Sequence, residues 1–208
     1  MIAAIKKNIL DVYEIINKEK SLSKRILILH GLGGSDFPHW QAQLASDLIK
    51  ENYVVSFPSF PSRDNPKLQE WKEFLKKELA HFKPDIVVCH SLANVLWFHT
   101  CDELDIKLDK LMLVAPVSRN RSIEEAKTFY PYPIASDLKA KEVIMAASTN
   151  DPYMSIEEAI ELQTKLNIGM KIMENAGHIN AASGFGKLDC ALDWIKRVEE
   201  CQINEESK

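Results

Sequence analysis

A serine, an aspartate and a histidine stand at three comparable places in this chain. Ser91 lies in Val88-Cys89-His90-Ser91-Leu92-Ala93, where the run Asp85-Ile86-Val87-Val88 gives way to a helix-like segment. Asp151 lies in Asn150-Asp151-Pro152, and His178 follows Asn175-Ala176-Gly177, each just after a later apolar run. A serine hydroxyl is inert at neutral pH until a base takes its proton and an acid orients that base. In such a set Ser91 is the nucleophile, His178 accepts and returns the proton, and Asp151 holds the imidazole tautomer. Each residue also has a plainer reading alone. Ser91 could cap the following helix, Asp151 could serve a local turn, and His178 could be a loop histidine. Their common placement after separate strands is what favours the chemistry.

Acyl chemistry also needs donors for developing negative charge, and His30-Gly31-Leu32-Gly33-Gly34 offers them. The backbone N–H of Leu92, directly after the nucleophile, is one candidate. The second comes from the 31–34 loop, with Leu32 preferred and Gly33 next; each donor is worth roughly 3 kcal/mol. The same glycines do not make a nucleotide site. Asp36 stands where G-x-G-x-x-G needs its third glycine, and Phe57-Pro58-Ser59 replaces the acidic residue expected after the second strand. No Gly-Lys-Ser/Thr triplet supports a P-loop.

The elements that must position these residues follow from the hydrophobic rhythm. Short apolar runs at Arg25–Leu29, Tyr53–Phe57, Asp85–Cys89, Lys110–Ala115, Glu142–Ala147 and Met170–Met173 alternate with helical patterns. Those patterns cover roughly 38–51, 67–81, 92–103, 122–129, 155–167 and 186–201. Continuous apolar strands imply burial on both faces. The expected fold is therefore α/β: a doubly wound, mostly parallel six-stranded sheet with helices on both faces. In such a sheet ligands bind beyond the carboxyl ends of the strands. His30, Phe57, Ser91, Pro116, Asp151 and His178 all belong on that rim. The chain order Ser, Asp, His is that of an α/β-hydrolase.

Several stretches resemble a known family, the small, lid-poor serine hydrolases that include retinoblastoma-binding protein 9 and its bacterial relatives. They are His30-Gly31-Leu32-Gly33-Gly34-Ser35, His39-Trp40-Gln41, His90-Ser91-Leu92, Asp151-Pro152-Tyr153 and the long block Gly177-His178-Ile179-Asn180-Ala181-Ala182-Ser183-Gly184-Phe185-Gly186. The resemblance spans about residues 25 to 195. It implies a compact α/β-hydrolase core with a minimal cap, a triad of Ser91, Asp151 and His178, and esterase-type activity without naming a physiological ester. The chain departs from the family at Cys89, where a small Gly or Ala is more frequent, and at Ala93, where Gly is usual.

The connection from Pro116 to about Leu138 is the one insertion able to roof the site. Phe129, Tyr130 and Tyr132 are expected to wall a shallow pocket with Tyr153 and Phe57; ordinary packing is the alternative for each. His30, His39 and Trp40 are read as supports of the 31–34 loop.

Composition bounds the rest. The 208 residues, 46% hydrophobic and 27% charged with a net charge of −4, fit one ordinary globular domain. No basic cluster suggests nucleic acid, and no apolar run is long enough for a membrane span. Neither a metal site nor a cofactor is expected, since the cysteines lack C-x-x-C spacing and the histidines form no H-x-x-x-H pair. The start of the chain does not read as an export signal, so free thiols and a cytoplasmic location are expected.

Residues 1–22, with Ile2, Ile5, Ile9 and Ile16 on one stripe, are read as an amphipathic helical extension preceding a hydrolase domain over 23–202. That helix could pack on the body or dock a protein partner. The functional expectation is a serine hydrolase for small esters, with thioesters and amides open. The alternatives are an interaction module with little or no turnover, and an acyl transferase using the same triad.

Overall fold

A computed structural model describes residues 24–197. The helix expected over 1–22 lies outside the described residues, as do residues 23 and 198–202 of the expected domain.

The apolar runs form strands β1 (Arg25–Leu29), β2 (Val54–Ser56), β3 (Ile86–His90), β4 (Leu108–Val114), β5 (Ala140–Ser148) and β6 (Gly169–Met173). Between and after them run helices α1 (Trp40–Lys50), α2 (Leu68–Phe82), α3 (Leu92–Thr100), α4 (Ile156–Leu166) and α5 (Asp189–Lys196). The strands form one sheet, ordered β2-β1-β3-β4-β5-β6, with every pairing parallel.

Strand alternation sorts the core into two layers. Leu27, Leu29, Val87 and Cys89 face a cluster that holds Trp71 and Leu75 of α2, Leu96 and Trp97 of α3, and Ala159 and Leu162 of α4. Ile26, Ile28, Ile86 and Val88 face the other side, against Trp40 and Leu44 of α1 and Trp194 and Ile195 of α5. A central strand therefore has no polar face, and all five residues of β3 are buried. Each large side chain buried this way stabilises the fold by about 1.5–3 kcal/mol.

Local chemistry sets the helix ends. The Ser155 hydroxyl accepts from the Glu158 amide and the Glu158 carboxylate accepts from the Ser155 amide, a reciprocal capping box. Asn167, at φ 52°, stops α4 in the left-handed region that asparagine tolerates.

One expected helix is not α-helical. Residues Glu124–Phe129 form 3-10 turns interrupted at Ala126. Ile123, Ala126 and Phe129 recur every three residues and are the ones turned toward the core, a period that suits a 3-10 turn. Likewise α3 ends at Thr100 and continues as a 3-10 turn over Cys101–Glu103.

The order reverses between β1 and β3: the chain leaves β1 for β2 on one side, then returns to β3 on the other. A crevice opens beyond the carboxyl ends at such a switch. The 31–34 loop follows β1 and Ser91 follows β3, so both border it. Among the described residues no helix is long and apolar enough to cross a membrane.

Candidate active site

Ser91 stands between β3 and α3 at φ 56°, ψ −123°, a conformation that costs a non-glycine residue about 1–3 kcal/mol. Hydrogen bonds hold it there. The Ser91 amide donates to the Val114 carbonyl at 3.0 Å. The Asn94 side-chain amide, fully buried, donates at 2.9 Å to the carbonyls of both Ser91 and Val114. The flanking Cys89 and Ala93 are buried without opening this turn. Burial pushes the Cys89 thiol far above its ordinary pKa, so it is no rival nucleophile.

Gly31 shows how tight the crossing is. A Cβ there would stand 2.7 Å from Ser91 Cβ and 3.1 Å from its Oγ. Only a residue without a side chain lets the first loop approach the serine this closely.

The structure brings Ser91, Asp151 and His178 together. The Ser91 hydroxyl donates to His178 Nε2 at 2.8 Å, and His178 Nδ1–H donates to the Asp151 carboxylate at 2.8 and 3.0 Å. These directions are the ones the network requires of a neutral ring. The side chains of His178 and Asp151 keep only 7% and 3% of their exposure, so little water competes for the bond between them. Asp151 Oδ1 also accepts from the Tyr153 amide at 2.8 Å, which fixes the carboxylate plane.

The two late loops are tied to each other. Asn150 Oδ1 accepts from the Gly177 amide at 2.7 Å, and Ser148 Oγ accepts from the Ala176 amide at 3.0 Å. Next to His178, Ser183 Oγ accepts its amide at 3.1 Å and is itself held by Asn180. The turn residues of the 177–186 block thus orient the imidazole through backbone bonds.

Three more histidines surround the site. His30 Nδ1–H donates to the Gly31 carbonyl at 2.6 Å while its Nε2 accepts from the Phe60 amide at 2.9 Å, which ties the start of the first loop to the segment after β2. Burial lowers its pKa. His90, missed as a site residue, donates from Nε2 to the His178 carbonyl at 3.1 Å. Burial, and then the nearby His178, hold His90 well below its usual pKa and neutral. His39 caps α1, its Nδ1 accepting from the Gln41 amide at 3.2 Å. Burial and then His178 lower its pKa to about 4.

Trp40 does a different job from the one expected. Its indole N–H donates to the Ile179 carbonyl at 2.7 Å and its amide donates to the Phe185 carbonyl at 3.1 Å. It braces the loop that carries His178, not the 31–34 loop, because α1 packs on the face where that late loop lands.

Of the two loop donors, the Gly33 amide is spent on the Arg63 carbonyl at 2.9 Å. That leaves Leu32. Leu92 opens α3, where a backbone N–H has no acceptor inside the helix. Among the described residues, the amides of Leu32 and Leu92 have no hydrogen-bond acceptor.

The cleft above Ser91 has a volume of about 520 Å³. Leu32, Ile123, Tyr153, Ala181 and Ala182 give it apolar walls, while Asp64, Glu125, His39 and Asn180 add polar groups. Tyr153 lies edge-on to His178 with ring centres 4.5 Å apart.

The other aromatics expected in the wall are elsewhere. Phe129 is fully buried, edge-on to Trp71. Tyr132 is buried against Phe98 with its hydroxyl on the Val117 carbonyl at 2.6 Å. Tyr130 packs on the same core and Phe57 on the opposite one. The apolar area of Phe129, Tyr130 and Tyr132 is better hidden under the connection than on its outer side. The connection offers Ile123 and Glu125 to the cleft instead. Among the described residues no group of three or more His, Cys, Asp or Glu side chains could hold a metal ion.

A family model described as serine hydrolase matches residues 26–197. A search among curated proteins gives no match. The fold is similar to that of the ydeN gene product of B. subtilis, at 21% identity and TM-score 0.69, over 83% of this chain and 96% of that one. It is also similar to a putative YdeN-like hydrolase of Pectobacterium atrosepticum, at 24% identity and TM-score 0.68, over 88% and 95%. A third similar structure is the esterase domain of a Rhodothermus marinus protein, at 11% identity and TM-score 0.63, over 84% and 87%.

Proposed function

The chain belongs to the serine hydrolase family, and from that premise we propose that it cleaves small carboxylic esters through an acyl-enzyme on Ser91. The observation that carries this reading is the 2.8 Å bond from the Ser91 hydroxyl to His178 Nε2, with Asp151 behind the ring. His178 takes the Ser91 proton as Oγ bonds to the acyl carbon. The carbonyl oxygen, now negative, is held by the amides of Leu32 and Leu92. When the C–O bond breaks, His178 passes the proton to the departing alcohol. Water then repeats the sequence and releases the acid, while Asp151 stabilises the transient imidazolium. Thioesters and amides are open to the same steps.

An open cleft with Leu32, Ile123 and Tyr153 in its walls supports small acyl groups. The free thiols of Cys89 and Cys101 support a reducing compartment, the cytoplasm. The test is labelling of the purified protein by a fluorophosphonate, with the adduct mapped to Ser91 and lost in Ser91→Ala. A folded wild-type protein that stays unlabelled would reject hydrolysis and favour a hydrolase fold used for binding. Acyl transfer would show instead as ester exchange when an alcohol competes with water.

A further inference from the structure

His39 has one ring nitrogen occupied and one free. Its Nδ1 accepts the Gln41 amide, which places the proton of the neutral ring on Nε2. Among the described residues nothing accepts from that Nε2–H. The residue is only 6% exposed, and it lines the cleft together with Ser91 and His178. It faces the cleft, where a ligand oxygen can accept from it in place of water.

Geometry says which part of a ligand this is. The His39 and His178 rings both pack against His90, with centroids 4.9 and 5.2 Å from it, which keeps the two within about 10 Å of each other. The departing alcohol oxygen must reach His178 Nε2, while the carbonyl oxygen turns toward Leu32 and Leu92. The alcohol half of an ester therefore lies on the side of the cleft that holds His39. The carboxylates of Asp64 and Glu125 in the same cleft only accept hydrogen bonds. A neutral donor there is suited to an ether, hydroxyl or carbonyl oxygen.

We propose that His39 is a substrate-binding residue whose Nε2–H donates to an oxygen in the alcohol half of the ester. The preferred substrates are then esters of oxygen-bearing alcohols, such as alkoxyalkyl and glycol esters, over plain alkyl esters. The proposal rests on the Ser91 reading above and narrows its substrate class.

The test compares 2-methoxyethyl butanoate with butyl butanoate, which match in chain length and differ by one ether oxygen. The ratio of kcat/KM, divided by the ratio of their hydroxide-catalysed rates, is expected to be about 5 in wild type, the worth of one hydrogen bond. In His39→Asn the ratio falls to about 1. Asparagine keeps the helix cap but does not reach as far as the imidazole. A long-range proton–nitrogen NMR spectrum of wild type is expected to show His39 as the Nε2–H tautomer.

A wild-type ratio near 1, a ratio unchanged in His39→Asn, or an Nδ1–H tautomer overturns the assignment. If neither ester is cleaved and Ser91 resists the fluorophosphonate, the hydrolase reading itself has failed and this one falls with it. Labelled Ser91 with an indifferent ratio refutes His39 alone.

Discussion

Gly31→Ala isolates the approach of the first loop to the nucleophile. The added Cβ would lie 2.7 Å from Ser91 Cβ, 3.1 Å from Oγ and 3.2 Å from the His90 carbonyl, where ordinary contact begins at 3.4 Å, so the loop and serine must part by about 0.7 Å. The loop cannot simply swing away. Its Gly31 carbonyl is held by His30, and its Gly33 amide by Arg63. Part of the shift therefore falls on the Ser91 hydroxyl and on the amide of Leu32. A 1 Å misplacement costs about 100-fold in rate, so a 10- to 50-fold loss in kcat is expected.

Overpacking of this kind also costs about 1–3 kcal/mol of stability, which lowers Tm by roughly 2–12 °C in a chain of this size. Initial rates on 4-nitrophenyl acetate, the rate of fluorophosphonate labelling, and circular-dichroism melting read the three effects. Gly33→Ala is the control. At φ 80° with no atom within 4 Å of its Cβ, it loses about 1–2 kcal/mol to backbone strain but pushes on nothing. A Gly31→Ala enzyme within twofold of wild type in kcat would refute the tight-crossing argument.

Three other perturbations probe the rest of the site. Asp151→Asn should lower kcat by about 10⁴ with little change in melting, because an amide favours the wrong imidazole tautomer; full activity would remove Asp151 from the mechanism. Trp40→Phe loses the 2.7 Å bond to the Ile179 carbonyl. It should cost about 1–3 kcal/mol in urea unfolding and slow labelling of Ser91, whereas a brace of the 31–34 loop alone would leave the His178 backbone amides unchanged in hydrogen exchange.

His39 titrates near 4 when folded and at the usual 6.5 when unfolded, so acid favours the unfolded chain. Its share of stability is complete above 6.5, falls as pH drops toward 4, and is gone below that. Urea midpoints across that window should decline less steeply in His39→Asn; an equal slope would refute the assignment.

The sheet was legible because its signals are local. Apolar runs such as Ile26–Leu29 and Ile86–Cys89 need burial on both faces wherever they fold. The Ser155 box and the glycine-flanked turns mark their own boundaries. The 122–129 segment departs from the expected α-helix because its core-facing side chains repeat every three residues, a spacing that suits 3-10 turns. Two supports of the site did leave a trace. Asn94 is the one amide in the apolar stretch Leu92–Phe98, and a polar group buried there must find partners. His90 directly precedes the serine.

Sequence alone determined the order of elements, and with it that Ser91, Asp151 and His178 must share one rim, since parallel strands deliver their carboxyl ends to one edge. Only the tertiary structure decided which groups were already spent and which remained free. The Gly33 amide is taken by Arg63, the Trp40 indole by a carbonyl 139 residues away, and the Tyr132 hydroxyl by Val117, while the second ring N–H of His39 has no acceptor among the described residues. Strand patterning is a property of neighbours along the chain. Hydrogen-bond satisfaction depends on which distant backbone atom arrives within about 3 Å, and no local pattern encodes that.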